Sequence, residues 1–109
     1  MRVAGFFASI VTIFSLSMQG AAFGQDAFTV CALSAAPGER VSGYLEVPPA
    51  RDEGTRIPVS IVSGARPGPV LALIAGTHGY EYPGVTALQR LLVDVRPSDL
   101  SGTLLLVHI

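Results

Sequence analysis

Lysine and tryptophan are absent from this chain, cysteine occurs once, at Cys31, and histidine twice, at His78 and His108. A single cysteine can neither close an intramolecular disulfide nor build a cysteine-based zinc cluster. Cys31 reads as a small thiol, buried or half-exposed. All seven positive charges are arginines, scattered singly from Arg2 to Arg96, and the formal net charge is -1. Phosphate binding needs clustered positive charge, so nucleic acid is not an expected partner. No block of like charge marks a disordered tail or a membrane-surface helix. Charged residues make up only 14% of the 109 residues and hydrophobic ones 50%, more apolar than an ordinary soluble domain. The length allows one small domain and not two.

Part of the apolar excess lies at the start. One arginine, Arg2, precedes an uncharged run from Val3 to Met18, and small residues follow at Ala22 and Gly24. This is the layout of a secretory signal peptide, expected over residues 1–24 with cleavage near Gly24-Gln25 or Ala27-Phe28. The run is short of the roughly twenty apolar residues that span a bilayer core. The expectation is export to a periplasmic or extracellular space, with no stable membrane anchor once the leader is removed. Residues 25–40 read as an N-terminal extension and 41–109 as part of a catalytic-type domain.

From Val41 to Val47 apolar and polar residues alternate; Pro48-Pro49 and the charged Arg51-Asp52-Glu53-Gly54 break the run, and alternation resumes from Arg56 to Ser63. Two half-buried strands joined by an exposed loop fit this pattern. Pro58 cannot donate a ladder hydrogen bond, so the second strand is expected to lie at an edge or to begin there. After the turn-forming Gly64–Pro69, Val70–Ala75 is apolar at every position, as in a strand buried on both faces. The period then changes: Val85, Leu88, Leu91 and Leu92 share one face of a helix over Pro83–Val93, with Pro83 suited to its first turn. Thr103–Ile109 is a second apolar strand. Strand, helix and strand in that order predict a parallel crossover unit, and the expected class is α/β, a mixed and partly parallel sheet flanked by helices. Ligands in such sheets bind beyond the carboxyl ends of the strands, where Gly76 to Glu81 falls.

His78 and Glu81 are the candidate metal ligands. Imidazole nitrogen and carboxylate oxygen both suit zinc, and residues at i and i+3 can turn to one side if the loop coils like a first helical turn. Spacing alone leaves two readings open, a metal pair or a hydrogen-bonded loop histidine. No catalytic residue is identifiable otherwise. Tyr80 and Tyr82 could line a substrate pocket or pack half-buried; Arg90, opposite Val85 and Leu88, reads as a surface arginine; His108 reads as a strand histidine at a sheet end.

The stretch from Gly68 through Gly76-Thr-His-Gly-Tyr-Glu-Tyr-Pro-Gly84 to Leu92, continued by Asp99-Leu-Ser-Gly-Thr103, resembles the opening of the succinylglutamate desuccinylase and aspartoacylase family of zinc carboxypeptidase-like hydrolases. Gly43–Pro48 and Ile57–Gly64 resemble the strands that precede this motif, so the likeness extends over about residues 41–107. The resemblance implies a zinc carboxypeptidase-like fold of which this is the N-terminal portion, with His78 and Glu81 as the first two ligands of one Zn2+ ion. It also implies hydrolysis of an amide or ester bond in a small N-acylated amino acid or related small-molecule substrate by zinc-activated water. The third ligand, a histidine, the substrate-binding arginine and the catalytic glutamate lie downstream of this motif in the family, so more chain is expected beyond Ile109. Two other readings are a non-catalytic secreted binding protein or remnant, and a carboxypeptidase acting on peptides. An unfinished parallel sheet should expose the edge of its last strand, which predicts self-association.

Overall fold

The computed structural model describes residues 25–109, and the expected leader, 1–24, lies outside the described residues. Two short strands, β1 (Phe28–Val30) and β2 (Leu33–Ala35), form a hairpin within the stretch read as an extension. Strands β3 (Arg40–Val47), β4 (Thr55–Ser63) and β5 (Arg66–Ala75) follow, then helix α1 (Tyr82–Asp94), a single 3-10 turn over Pro97–Asp99 and strand β6 (Ser101–His108). The four longer strands form one sheet in the order β3-β4-β6-β5. β3 with β4 and β4 with β6 are antiparallel, while β5 with β6 is parallel across α1. The expected mixed, partly parallel sheet is therefore present, with one α-helix among the described residues.

Cross-strand partners share a face of a sheet. Ser42, Ser60 and Leu106 are partners in register, and Ala75 pairs with His108, two residues beyond Leu106. A Cβ on Gly84 of α1 would sit 3.2 Å from that of Ala75, so α1 covers this face over β5 and β6. A Cβ on Gly43 would instead strike Leu33, which places the β1–β2 hairpin on the opposite face over β3 and β4. The core lies in β4 and β6 between the two covers, at Val59, Ile61, Val62 and Leu106, each at most 1% exposed.

This arrangement corrects four expectations. The second half of β4 is not half-buried: Val59 to Ser63 are buried throughout, because the strand is interior and covered on both sides. Pro58 therefore sits in an interior strand, but at the first position before the β4–β6 ladder, which runs from Val59 to Ser63, so its segment of β4 pairs with β3 alone. Val70–Ala75 is not buried on both faces. β5 is an edge strand, and Val70, Leu71 and Ile74 stand more than half exposed. The last strand, β6, is interior, so the open edge expected of it belongs to β5. The helix matches its expected face, with Leu88 buried and Val85, Leu91 and Leu92 half-buried. Among the described residues no helix is long and apolar enough to cross a membrane.

The start of β5 is held by Arg66. Its Nε donates to Ser101 Oγ at 2.9 Å, and its two terminal nitrogens donate to the carbonyls of Ser98 at 3.1 Å and Asp99 at 2.9 Å. This planar fork fixes the turn between α1 and β6 against the beginning of β5, just before the irregular register between Arg66 and Val70. Lysine offers a point charge in place of the fork. Arg66→Lys should cost about 1 kcal/mol, lowering the melting temperature by roughly 4–8 °C in circular dichroism. An unchanged melt would show that water replaces these contacts without loss.

Candidate metal-binding site

The site is built by the way β5 ends. The parallel ladder is carried one step past β6 by Ile109 N–H, which donates to Ala75 O at 2.8 Å. Gly76 then takes φ +87°, a left-handed conformation that turns the chain away from the strand axis. A Cβ at this position would lie 2.1 Å from Ile109 O, so glycine is required by space as well as by dihedral. Five residues on, Glu81 N–H donates to His78 O at 3.1 Å, closing a tight turn that leads into α1. Pro83 occupies the first turn of that helix, as the sequence predicts.

That turn brings the two candidate ligands together. His78 Nδ1 and Glu81 Oε1 are 3.0 Å apart, with 63% and 49% of the side-chain surface exposed. Because a carboxylate only accepts, Nδ1–H is the donor, which fixes the tautomer of this contact. Glu81 is the N-cap residue of α1, where the helix dipole favours an anion, although its side chain makes no capping hydrogen bond. The pair borders a shallow depression of about 140 Å³ whose other walls include Gly76, Tyr82, Val85 and Ile109. A larger concavity of about 530 Å³ lies at the β3–β4 loop, away from both histidines, and its wide opening over Pro48, Pro49 and Arg56 makes it a poor site for chemistry.

Nitrogen and oxygen donors suit zinc, and two donors of a tetrahedral zinc sphere lie roughly 3.4 Å apart at bond lengths of about 2.1 Å. A separation of 3.0 Å is within a few tenths of an ångström of that spacing, so the pair fits two positions of such a sphere. Among the described residues no group of three or more histidine, cysteine, aspartate or glutamate side chains could hold a metal ion.

The other candidates are dispersed. Tyr80 and Tyr82 are 78% and 72% exposed, so neither is packed into the core. Tyr82 walls the depression beside the pair, and also a groove on the outer side of α1 that includes exposed Arg90. His108, the last residue of β6, instead lines the cleft between α1 and the sheet with Ser42, Ser60 and Gln89, and its Nδ1 is buried without a protein partner. It is a sheet-end histidine, as expected. Cys31 is exposed at the tip of the β1–β2 hairpin and takes φ +50°. Sequence reasoning missed the contact of the His78 and Tyr80 rings, whose centroids are 6.1 Å apart with planes 12° apart. Residues two apart in a loop carry no periodicity that would have revealed it.

Residues 67–109 match the model of the succinylglutamate desuccinylase/aspartoacylase catalytic domain. Over this segment the chain is similar to that family. It has the N-terminal portion of the family's fold, and residues 76–81 lie within the matched segment. Over 69 residues it is 39% identical to N-alpha-acetyl-L-2,4-diaminobutyric acid deacetylase of Halomonas elongata, a match covering 60% of this chain and 20% of that protein. Two solved structures are similar. One is the succinylglutamate desuccinylase/aspartoacylase from Rhodobacter sphaeroides, at a TM-score of 0.52 and 31% identity over 61% of this chain and 21% of the other. The second is the product-bound ectoine utilization protein EutE (DoeB) from Ruegeria pomeroyi, at 0.55 and 30%, covering 62% and 22%. The chain thus spans about a fifth of the length of the curated relative it matches.

Proposed function

We propose that this chain provides the first half of a zinc site in an exported deacylase of small N-acylated amino acids, with His78 Nδ1 and Glu81 Oε1 as two of the ion's ligands. The observation that carries the proposal is the 3.0 Å approach of these atoms at the carboxyl end of a parallel strand, in a segment of this family. Export is supported by the arginine-led apolar run up to Met18. The substrate class is supported by the name of the Halomonas relative.

When bound, zinc supplies Lewis-acid activation of a water and of the scissile carbonyl. The chain's own residues set the conditions. To hold the ion, His78 would present the lone pair of Nδ1 and carry its ring proton on Nε2. Glu81 would present its carboxylate at the N-cap of α1, where the helix dipole favours an anion. The Gly76 turn, clamped on Ile109, fixes where both side chains begin, and Tyr82 walls the same depression, where it could contact a substrate. Amide hydrolysis also needs a group that delivers a proton to the departing amine. Among the described residues no further carboxylate or histidine joins the pair, so that group and the third ligand must come from outside the described residues.

The test is a chimera in which the matching segment of the Halomonas deacetylase is replaced by that of this chain. It should release acetate from N-acetylated diaminobutyrate, lose that activity to a zinc chelator and recover it on adding zinc. Full activity in a chimera carrying His78→Ala would refute the ligand assignment. A folded chimera that binds zinc without hydrolysing any N-acyl amino acid would favour the non-catalytic reading.

A further inference from the structure

We infer that Tyr80 is a positioning residue for His78, its ring holding the imidazole plane so that Nδ1 faces Glu81; this rests on the zinc-site reading above. The centroid distance of 6.1 Å and the interplanar angle of 12° describe an offset parallel stack, within the range in which aromatic pairs attract. His78 needs such a restraint. Its imidazole is 63% exposed, and one hydrogen bond to a half-exposed carboxylate competes with water. A ring flip would replace Nδ1 by carbon. Glu81 selects which nitrogen points inward, whereas the face of Tyr80 limits the tilt of the ring, and the two restraints together define one orientation.

A Cβ on Gly79, between His78 and Tyr80 in the chain, would meet no atom within 4 Å outside its two neighbours, so the loop is open there. Tyr80 is itself 78% exposed and contributes nothing to the core, which separates this role from a general effect on folding. The stack uses the ring face and not the phenol oxygen, so phenylalanine should serve and alanine should not.

The experiment compares the 109-residue chain with its Tyr80→Phe and Tyr80→Ala variants by zinc affinity, from competition with a chromogenic chelator, and by the ring-proton resonances of His78 in the metal-free state. Tyr80→Phe should stay within about twofold of the parent affinity, and Tyr80→Ala should weaken it about two- to tenfold. In the metal-free chain the His78 ring protons should shift in Tyr80→Ala as the ring current is lost, and hold their place in Tyr80→Phe, with the melting temperature unchanged in both. Equal losses in the two variants, or His78 resonances indifferent to Tyr80→Ala, would overturn the inference. If the parent chain takes up no zinc, the affinity comparison is made in the chimera described above, where failure of zinc binding would refute the site reading, and the resonance comparison still decides whether Tyr80 orients the imidazole.

Discussion

His78→Ala is expected to lower the zinc affinity of the 109-residue chain by more than about 100-fold, and Glu81→Gln by a similar factor, in a chelator-competition titration. Loss of a mere supporting partner of a metal ligand costs about 10–100-fold, so loss of a direct ligand must exceed that range. Among the described residues only two protein donors approach each other at this site, and with one removed no chelate remains. Glutamine at 81 keeps the size and the carbonyl oxygen but not the charge, so its loss reports the ionic part of the contact. Both side chains are largely exposed, and neither substitution removes core contacts. The melting temperatures should therefore stay within a few degrees of the parent, since surface changes of this kind cost about 0.5 kcal/mol or less. His108→Ala supplies the contrast. That residue lines the cleft under α1, and its replacement should leave zinc affinity unaltered. Zinc affinity that survives His78→Ala but drops on His108→Ala would reverse the assignment of ligand and sheet-end histidine.

The local parts of this architecture were legible from residue order, and the way they are arranged was not. Alternation from Val41 to Val47 marked β3, the change of period after Pro83 marked α1, and the glycine-ended apolar run placed His78 and Glu81 at a strand's carboxyl end. These signals are local, because a strand or helix must show one apolar face whatever its neighbours are. Burial on the second face depends on which strands become neighbours. Ser60 and Ser63 look solvent-facing by composition but are buried, because β4 lies between β3 and β6 beneath two covers. Val70–Ala75 errs in the opposite direction. Its composition suits a strand covered on both sides, yet among the described residues it is an edge strand covered mainly on one face. The His78–Glu81 contact was readable because a one-turn spacing constrains it. The proposed third ligand and proton donor were not, since zinc sites recruit ligands distant in sequence and no group of three or more metal-binding side chains forms among the described residues.

Gly76→Ala should be the most damaging single change near the site, and Gly38 provides the control that separates its two causes. Both glycines have positive φ, +87° and +84°, so alanine at either position pays the same dihedral penalty, about 1 kcal/mol or somewhat more. At Gly38 a Cβ meets nothing within 4 Å, and the dihedral is the whole effect. At Gly76 the Cβ would lie 2.1 Å from Ile109 O and 3.0 Å from Val85 Cγ2. The carbonyl belongs to the same residue whose N–H extends the parallel ladder from β6 to Ala75, so its backbone is tied to the end of that ladder. The expected total is about 3 kcal/mol, a drop in melting temperature of roughly 12–24 °C, against roughly 4–8 °C for Gly38→Ala. Asparagine tolerates left-handed backbone, so Gly38→Asn should recover most of its loss while Gly76→Asn should not. Because the same turn carries His78, the Gly76 variants should also lose zinc affinity at temperatures where they remain folded, and the Gly38 variants should keep it. Equal melting temperatures for Gly76→Ala and Gly38→Ala would mean that the Ile109 end of β6 yields freely, and the clamp on the loop would have to be abandoned.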